Sequence, residues 1–383
     1  MKIKASTYAL ENTEDLISPA LVYYKDIILD HTKRIIDMAG GAGMLWPHVK
    51  SHKASEMIRM QIGLGINKFK CATIAEAEMT AQAGGKEIIL AYPLIGPNIN
   101  RYLKLAHDNP KTIFYAIGDD FEQFQALSVK ACDMGMKMNV LVDVDIGMHR
   151  TGVSIDSLES LYERSAALPG LSLKGMHCYD GQRKESDLTL RTKAVEEYDQ
   201  KVLKIQESLK QKGLDCSIMV MGGTPSFPCR TGKEGFYLSP GTLFIGDWGY
   251  YSSFPDLDFC PGAALFCRVV SHGSGVTAGS GAVGGSGHTF TLDLGSKGIA
   301  TDPAGDRGII AGLIEAKPLF QSEEHWVFSL PEDMPLPAIG SSCYVLPTHI
   351  CPTSALYPQI QVAQNGKITE QWQVDARNRK INY

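Results

Sequence analysis

Two lysines three residues apart open the chemical reading of this chain. Lys50 and Lys53 lie in WPHVKSHK (46–53), at the end of a short β-rich run. A deprotonated lysine amine forms a Schiff base with an aldehyde, and burial or neighbouring cations keep it deprotonated. Two glycine-bearing turns follow later β-rich runs, MGGTPSF (221–227) and SPGTLFIGD (239–247). Glycines let backbone N–H groups approach an anion and a threonine hydroxyl adds a donor, so each turn can cup a phosphate. THICPT (348–353) sets His349 and Cys351 two apart. In a strand, residues i and i+2 share a face, so the imidazole and the thiol could reach one ion. Taken singly, each motif also has a plain reading: a solvated Lys/His turn, an ordinary Gly-Gly-Thr-Pro turn, an accidental His-x-Cys.

The elements that must position these groups change character along the chain. From MLWPHVK (44–50) to GFYLSPG, eight β-rich runs alternate with helical patterns such as IAEAEMTAQAG and AVEEYDQKVLKIQESLKQKG. Eight strands with intervening helices predict an α/β fold, a (β/α)8 TIM barrel, although a doubly wound sheet would also alternate. A barrel places its active site at the C-terminal ends of its strands and often binds phosphate after the seventh and eighth, where the two glycine turns fall. After Phe254 come short strands split by Gly, Pro and polar turns, CRVVSH through ITEQWQV. These predict a C-terminal all-β domain. The expected division is a barrel over 25–255 and a β domain over 256–383, joined by the N-terminal residues 1–24, whose PALVYY can add a strand. The glycine-rich stretch 273–287 reads as a hairpin tip too poor in side chains to order itself.

Composition bounds the function. The net charge of −5 supplies no basic surface for a nucleic-acid backbone, so no nucleic-acid partner is expected. Nine cysteines without a CxxC pair give no support for a disulfide framework or a four-cysteine zinc site. The start lacks the apolar core of a secretory signal, and no apolar run approaches the ~20 residues of a membrane helix. The expectation is a cytoplasmic enzyme without a membrane partner.

Together, WPHVKSHK, ILAYPL, VDVDIGMHRTGV, HCYDG, GGTPS, SPG, HICPT and the final WQVDARNRKI resemble the D-threonine aldolase and D-serine dehydratase family. These are fold-type III pyridoxal-phosphate enzymes related to alanine racemase, and the resemblance runs nearly end to end. It implies a barrel of the alanine racemase type, a β domain, a homodimer, and a D-amino acid substrate. It further implies that Lys50 carries pyridoxal 5'-phosphate, with Lys53 secondary. Gly223, Thr224, Gly241 and Thr242 would hold the phosphate, Tyr179 would line the cofactor, and Arg150 would sit near its ring hydroxyl. His349 and Cys351 would hold a divalent metal, zinc or manganese. Asp180 stands where the aldolase branch carries a histidine, and so becomes the candidate base. The resemblance points first to retro-aldol cleavage, then to dehydration of D-serine or D-threo-3-hydroxyaspartate. Racemisation and non-catalytic cofactor binding are the remaining readings.

Overall fold

The structure is a computed structural model that describes residues 3–273 and 288–383. Strand β1 (Ala20–Tyr24) comes first. Seven strands follow: β2 (Lys68–Cys71), β3 (Glu87–Leu90), β4 (Ile113–Gly118), β5 (Met138–Asp145), β6 (Leu171–Tyr179), β7 (Ile218–Met221) and β8 (Tyr237–Leu238). The rest are β9 (Ala263–Gly273), β10 (Thr289–Leu292), β11 (Gly308–Ile310), β12 (Lys317–Gln321), β13 (Trp326–Ser329), β14 (Ser342–Pro347), β15 (Gln359–Gln364) and β16 (Lys367–Gln373). The glycine-rich stretch expected to be a hairpin tip lies outside the described residues, apart from Gly273 at the end of β9.

Contacts divide the chain into two compact units, with boundaries that differ from those expected from the sequence. The barrel unit runs from Thr32 to Phe244 and takes in Phe254–Leu257 and Asn378–Tyr383. The β unit gathers the chain up to His31, Ile245–Ser253 and Asp258–Arg377. The tail belongs with the barrel because Glu78 accepts from the backbone and side chain of Asn382, while Arg101 donates to Tyr383 O at 2.7 Å.

In the barrel unit, β2 to β8 form a parallel sheet in chain order. Residues 45–48 fill the eighth position. Leu45 bridges to Leu238 and His48 to Lys70, while Trp46 N–H donates to Leu238 O and Lys70 N–H to Pro47 O. The first expected strand is therefore two bridges rather than a ladder, since Pro47 has no N–H to give. Directly after it, Val49–Ser51 tightens into a 3-10 turn that carries Lys50. Helices alternate with the strands, and some start on side-chain caps. Thr73 accepts from Glu76 N–H at 3.1 Å, and Asp120 accepts from Glu122 N–H at 2.8 Å.

Strand alternation decides what faces the barrel interior. Trp46, Ile89, Tyr115, Ile117, Leu141 and Val220 make an apolar cluster there. Two residues further along the same faces come His48 and Asp143, and β2 and β6 add Lys70 and His177 (buried polar groups stacked on an apolar floor). Outward-facing partners such as Phe69, Val142 and Cys178 are fully or nearly fully buried and alternate with these residues along β2, β5 and β6.

The β unit is a mixed sheet in the order β12-β13-β10-β9-β1-β15-β16, with β14 pairing both β9 and β11. PALVYY enters this sheet as β1, antiparallel to β9 and parallel to β15. Strand β12 was not anticipated. Its KPLFQ carries a proline and is largely exposed, so neither alternation nor a buried face marks it.

One position in the barrel tests how tightly the strands are set. Gly175 lies where β6 slips register against β5, and a Cβ there would come 1.7 Å from Ile218 O in β7. Gly175→Ala must push β6 and β7 apart, so a loss of roughly 2–4 kcal/mol is expected from an overpacked, unrelievable backbone contact. Denaturant unfolding reads it directly, and an unchanged midpoint would contradict this packing.

Candidate active site at the barrel mouth

Lys50 and Lys70 approach one aromatic ring. Lys50 Nζ lies 5.7 Å and Lys70 Nζ 5.6 Å from the centroid of Tyr179, which ends β6. Arg150 brings its Cζ to 5.0 Å of the same ring from the loop after β5. Lys53 does not join them: it leaves the turn with φ of 53° and pairs with the buried carboxylate of Glu76. Of the two sequence candidates, only Lys50 faces the mouth residues.

Lys70 was missed by the sequence reading. It is 1% exposed, and its Nζ lies 3.4 Å from Nε2 of His177. Nδ1 of His177 lies 2.7 Å from Asp143 Oδ1, and Asp143 Oδ2 accepts from Thr151 at 2.8 Å. Burial, and then the charge of Lys50, bring the Lys70 amine down to about 7, against the pull of Asp143 and Asp180. Burial and the nearby lysines likewise hold His48 well below its ordinary value. Parity was the available signal, because in KFKC residue 70 is fixed on the barrel-facing side by the burial of Phe69 and Cys71.

The two glycine turns meet here. Gly241 N–H donates to Thr224 Oγ1 at 3.3 Å, tying the turn after β7 to the turn after β8. A Cβ on Gly241 would press on His48 Cβ at 3.0 Å and Ser51 Oγ at 3.1 Å, so bare backbone packs on the Lys50 turn. A Cβ on Gly223 would meet Tyr179 Cε2 at 2.8 Å. Thr242 opens the next 3-10 turn and is buried beside it. Gly223, Thr224, Gly241 and Thr242 therefore come from loops joined to each other and to the Lys50 and Tyr179 segments.

Asp180 has a different place from the one its spacing suggested. It is 1% exposed, its Oδ2 accepts from Arg230 Nη1 at 2.8 Å, and its Oδ1 accepts from Ser226 Oγ. Arg230, also buried, donates its other face to Asp199 at 2.7 and 3.0 Å. With each oxygen held by one of these partners, Asp180 anchors the turn after β7. Arg230 lies 50 residues further on, so no local pattern announced the pair.

In the β unit, HICPT corrects the expectation of a strand. His349 is the N-cap of a helix over Ile350–Leu356, and Cys351 sits in its first turn. Pro352 suits that first turn, where no intrahelical N–H bond is required. The pair still converges, now through the helix start: Cys351 bonds the His349 side chain. His349 Nδ1 lies 3.0 Å from Asp302 Oδ2. Burial alone would lower the His349 imidazole, but Cys351, Asp247 and Asp302 raise it to about 9. Buried Asp247 accepts from Ile350 N–H at 3.2 Å and from Tyr250 N–H at 3.0 Å, and burial pushes its carboxyl up to about 6. Among the described residues no group of three or more His, Cys, Asp or Glu side chains is arranged to hold a metal.

Both implied groups fit what is present. A phosphate-bearing aldehyde matches bare glycine backbone at two linked turns and a lysine near an aromatic ring that two further cations approach. A soft divalent ion matches an imidazole and a thiol that converge, with Asp302 on the second ring nitrogen in the manner of a carboxylate that orients a metal-binding histidine. No helix among the described residues is long and apolar enough to cross a membrane.

Comparisons with known proteins agree with this geometry. The alanine racemase N-terminal domain family matches residues 25–247, and a serine dehydratase domain family matches 263–363. A D-threonine aldolase from an Arthrobacter species is 25% identical, over 87% of this chain and 85% of its own. A 3-hydroxy-D-aspartate aldolase from Paracoccus denitrificans is also 25% identical, over 95% of this chain and 93% of its own. The solved D-threo-3-hydroxyaspartate dehydratase of a Delftia species shares the fold with a TM-score of 0.82 at 20% identity, covering 94% of this chain and 97% of that one. Barrel, linked glycine turns and matching domains lead to one conclusion: the chain belongs to the D-threonine aldolase and D-serine dehydratase family, on the alanine racemase fold.

Proposed function

We propose that this protein is a pyridoxal-phosphate- and divalent-metal-dependent lyase that cleaves D-β-hydroxy amino acids, in the manner of a D-threonine aldolase, to glycine and an aldehyde. The observation that carries the reading is Lys50 beside Tyr179, next to two glycine turns joined by the Gly241–Thr224 bond. When bound, the cofactor supplies an electron sink and the metal a Lewis acid. Lys50 Nζ holds the aldehyde and is the amine available to take or return a proton at the substrate α-carbon. Gly223 and Gly241 leave room for the phosphate, and the Thr224 and Thr242 hydroxyls are its donors. Arg150 and Lys70 offset the negative charge of the ligand, and the Tyr179 ring orients its plane while keeping water from one face. His349 and Cys351 hold the metal, with zinc favoured by the thiol and manganese the other candidate. The protein works as a cytoplasmic homodimer.

Elimination is the second reading, and one observation favours it. Both oxygens of Asp180 are engaged by Arg230 and Ser226, and an arginine-paired carboxylate is a weak base for the β-hydroxyl proton in aldol cleavage. Dehydration needs only Lys50 as base. Incubation with D-threonine and D-threo-3-hydroxyaspartate separates the two. Glycine with an aldehyde supports the aldolase, an oxo acid with ammonia supports the dehydratase, and racemised substrate alone contradicts both.

Three further outcomes are expected. Lys50→Ala should lose the visible absorbance of covalently held cofactor, whereas Lys53→Ala, whose lysine is paired with Glu76, should keep it. Thr224→Val keeps the shape but removes a hydroxyl from a dianion, a bond worth roughly 1.5–3 kcal/mol. Cofactor affinity should then fall about ten- to a hundredfold in equilibrium titration. Removal of metal by a chelator should abolish lyase turnover and leave the cofactor absorbance in place, and Cys351→Ser should reproduce this with reduced bound zinc by elemental analysis. Full turnover without metal would remove the Lewis acid from the account.

A further inference from the structure

Lys70 is a buried cation to which the proposed chemistry gives a charge to offset but no proton to move. Its surroundings differ from those of the buried arginines: Arg230 has a carboxylate on each face, and Arg191 pairs with Asp256. Lys70 forms no ion pair among the described residues; its partner is the imidazole of His177. The groups around it are Lys50 and His48 from the first turn, Asp143 and Arg150 from β5 and its loop, and His177, Tyr179 and Asp180 from β6 and its end.

The hydrogen bonds fix which protons can move. Asp143 accepts at Nδ1 of His177, so the neutral ring carries its proton there and presents a lone pair at Nε2. Lys70 Nζ donates one N–H to that lone pair. An ammonium and a neutral amine can both make this donation, so the His177–Asp143 pair aims Lys70 without deciding its charge. Nζ itself lies 5.6 Å from the Tyr179 ring centroid, a ring that Lys50 and Arg150 also approach.

We infer that Lys70 is a second functional amine of this site, a positioning and proton-holding residue aimed by His177 and Asp143 that passes one proton to and from an anionic ligand bound at Lys50. The transfer balances simply: the ammonium gives up one proton to an anionic oxygen or nitrogen of the ligand, keeps its bond to His177, and becomes a neutral amine. The inference rests on the reading of Lys50 as the cofactor lysine. As pH rises through about 7, Lys70 loses its charge and the site becomes one unit less positive.

The test is an absorbance titration of the protein loaded with pyridoxal phosphate, from about pH 5.5 to 9, the range in which ordinary lysines stay charged. The wild-type spectrum should change with a midpoint near 7, the value to which the Lys70 amine is brought. Lys70→Met, of similar length and apolar, and Lys70→Arg, which stays charged, should each bind cofactor and lack that transition. Should the methionine variant misfold, the arginine variant and the side-chain nitrogen signals of 15N-lysine-labelled wild type still decide the point. A transition that persists unchanged in the variants, or the absence of any lysine nitrogen titrating near 7, would overturn the inference. Lys50→Ala is the separate control. If it retains the covalent band, the cofactor assignment itself fails. If it loses the band while the Lys70 variants keep the transition, only the role of Lys70 fails.

Discussion

The structure turns on the buried Lys70 amine, which meets the Tyr179 ring together with half-buried Lys50 and exposed Arg150. Lys50, Lys70 and Arg150 surround Tyr179, and among the described residues none of the three forms an ion pair. Asp143 and Asp180 are the carboxylates nearest Lys70; Asp143 is shared between His177 and Thr151, and Asp180 is held by Arg230 and Ser226. Burying an unmatched ammonium is costly, and a fold tolerates it where a bound anion or a lost proton can relieve it. Two linked glycine turns lie beside the Lys50 and Tyr179 segments, and burial with the charge of Lys50 brings the Lys70 amine down to about 7.

Arg230 sets the contrast that gives this meaning. It is as buried as Lys70, yet Asp180 and Asp199 neutralise it twice over, and Ser226 closes the network. Such a fully bonded group specifies a turn rather than a reaction. The turn it specifies is GGT, since a Cβ on Gly222 would strike Arg230 Nη1 and Ser226 Oγ, both at 2.5 Å. The satisfied buried charge thus holds the GGT turn in shape, while Lys70 has no carboxylate partner among the described residues.

Much of this was legible from residue order, for physical reasons that can be named. A lysine directly after the first strand and two glycine turns after the last two are local patterns, and barrel closure brings them together. Family likeness carried His349 and Cys351, although their geometry was misread: Pro352 and the cap at His349 start a helix where alternation suggested a strand. Three things were not legible. Lys70 sits in KFKC, which looks like a strand edge in water until the burial of Phe69 and Cys71 fixes the inward side. Asp180 reads as a free carboxylate until Arg230 is folded onto it. The KPLFQ strand has neither alternation nor burial to announce it.

The most direct test of the central claim is chemical mapping of the lysine that holds the cofactor. Protein purified with pyridoxal phosphate would be reduced with borohydride, digested, and read by peptide mass spectrometry. The account predicts a pyridoxyl group on Lys50, with Lys53 and Lys70 unmodified. Modification at Lys53 or Lys70 in place of Lys50, or no modified lysine in the barrel, would contradict it.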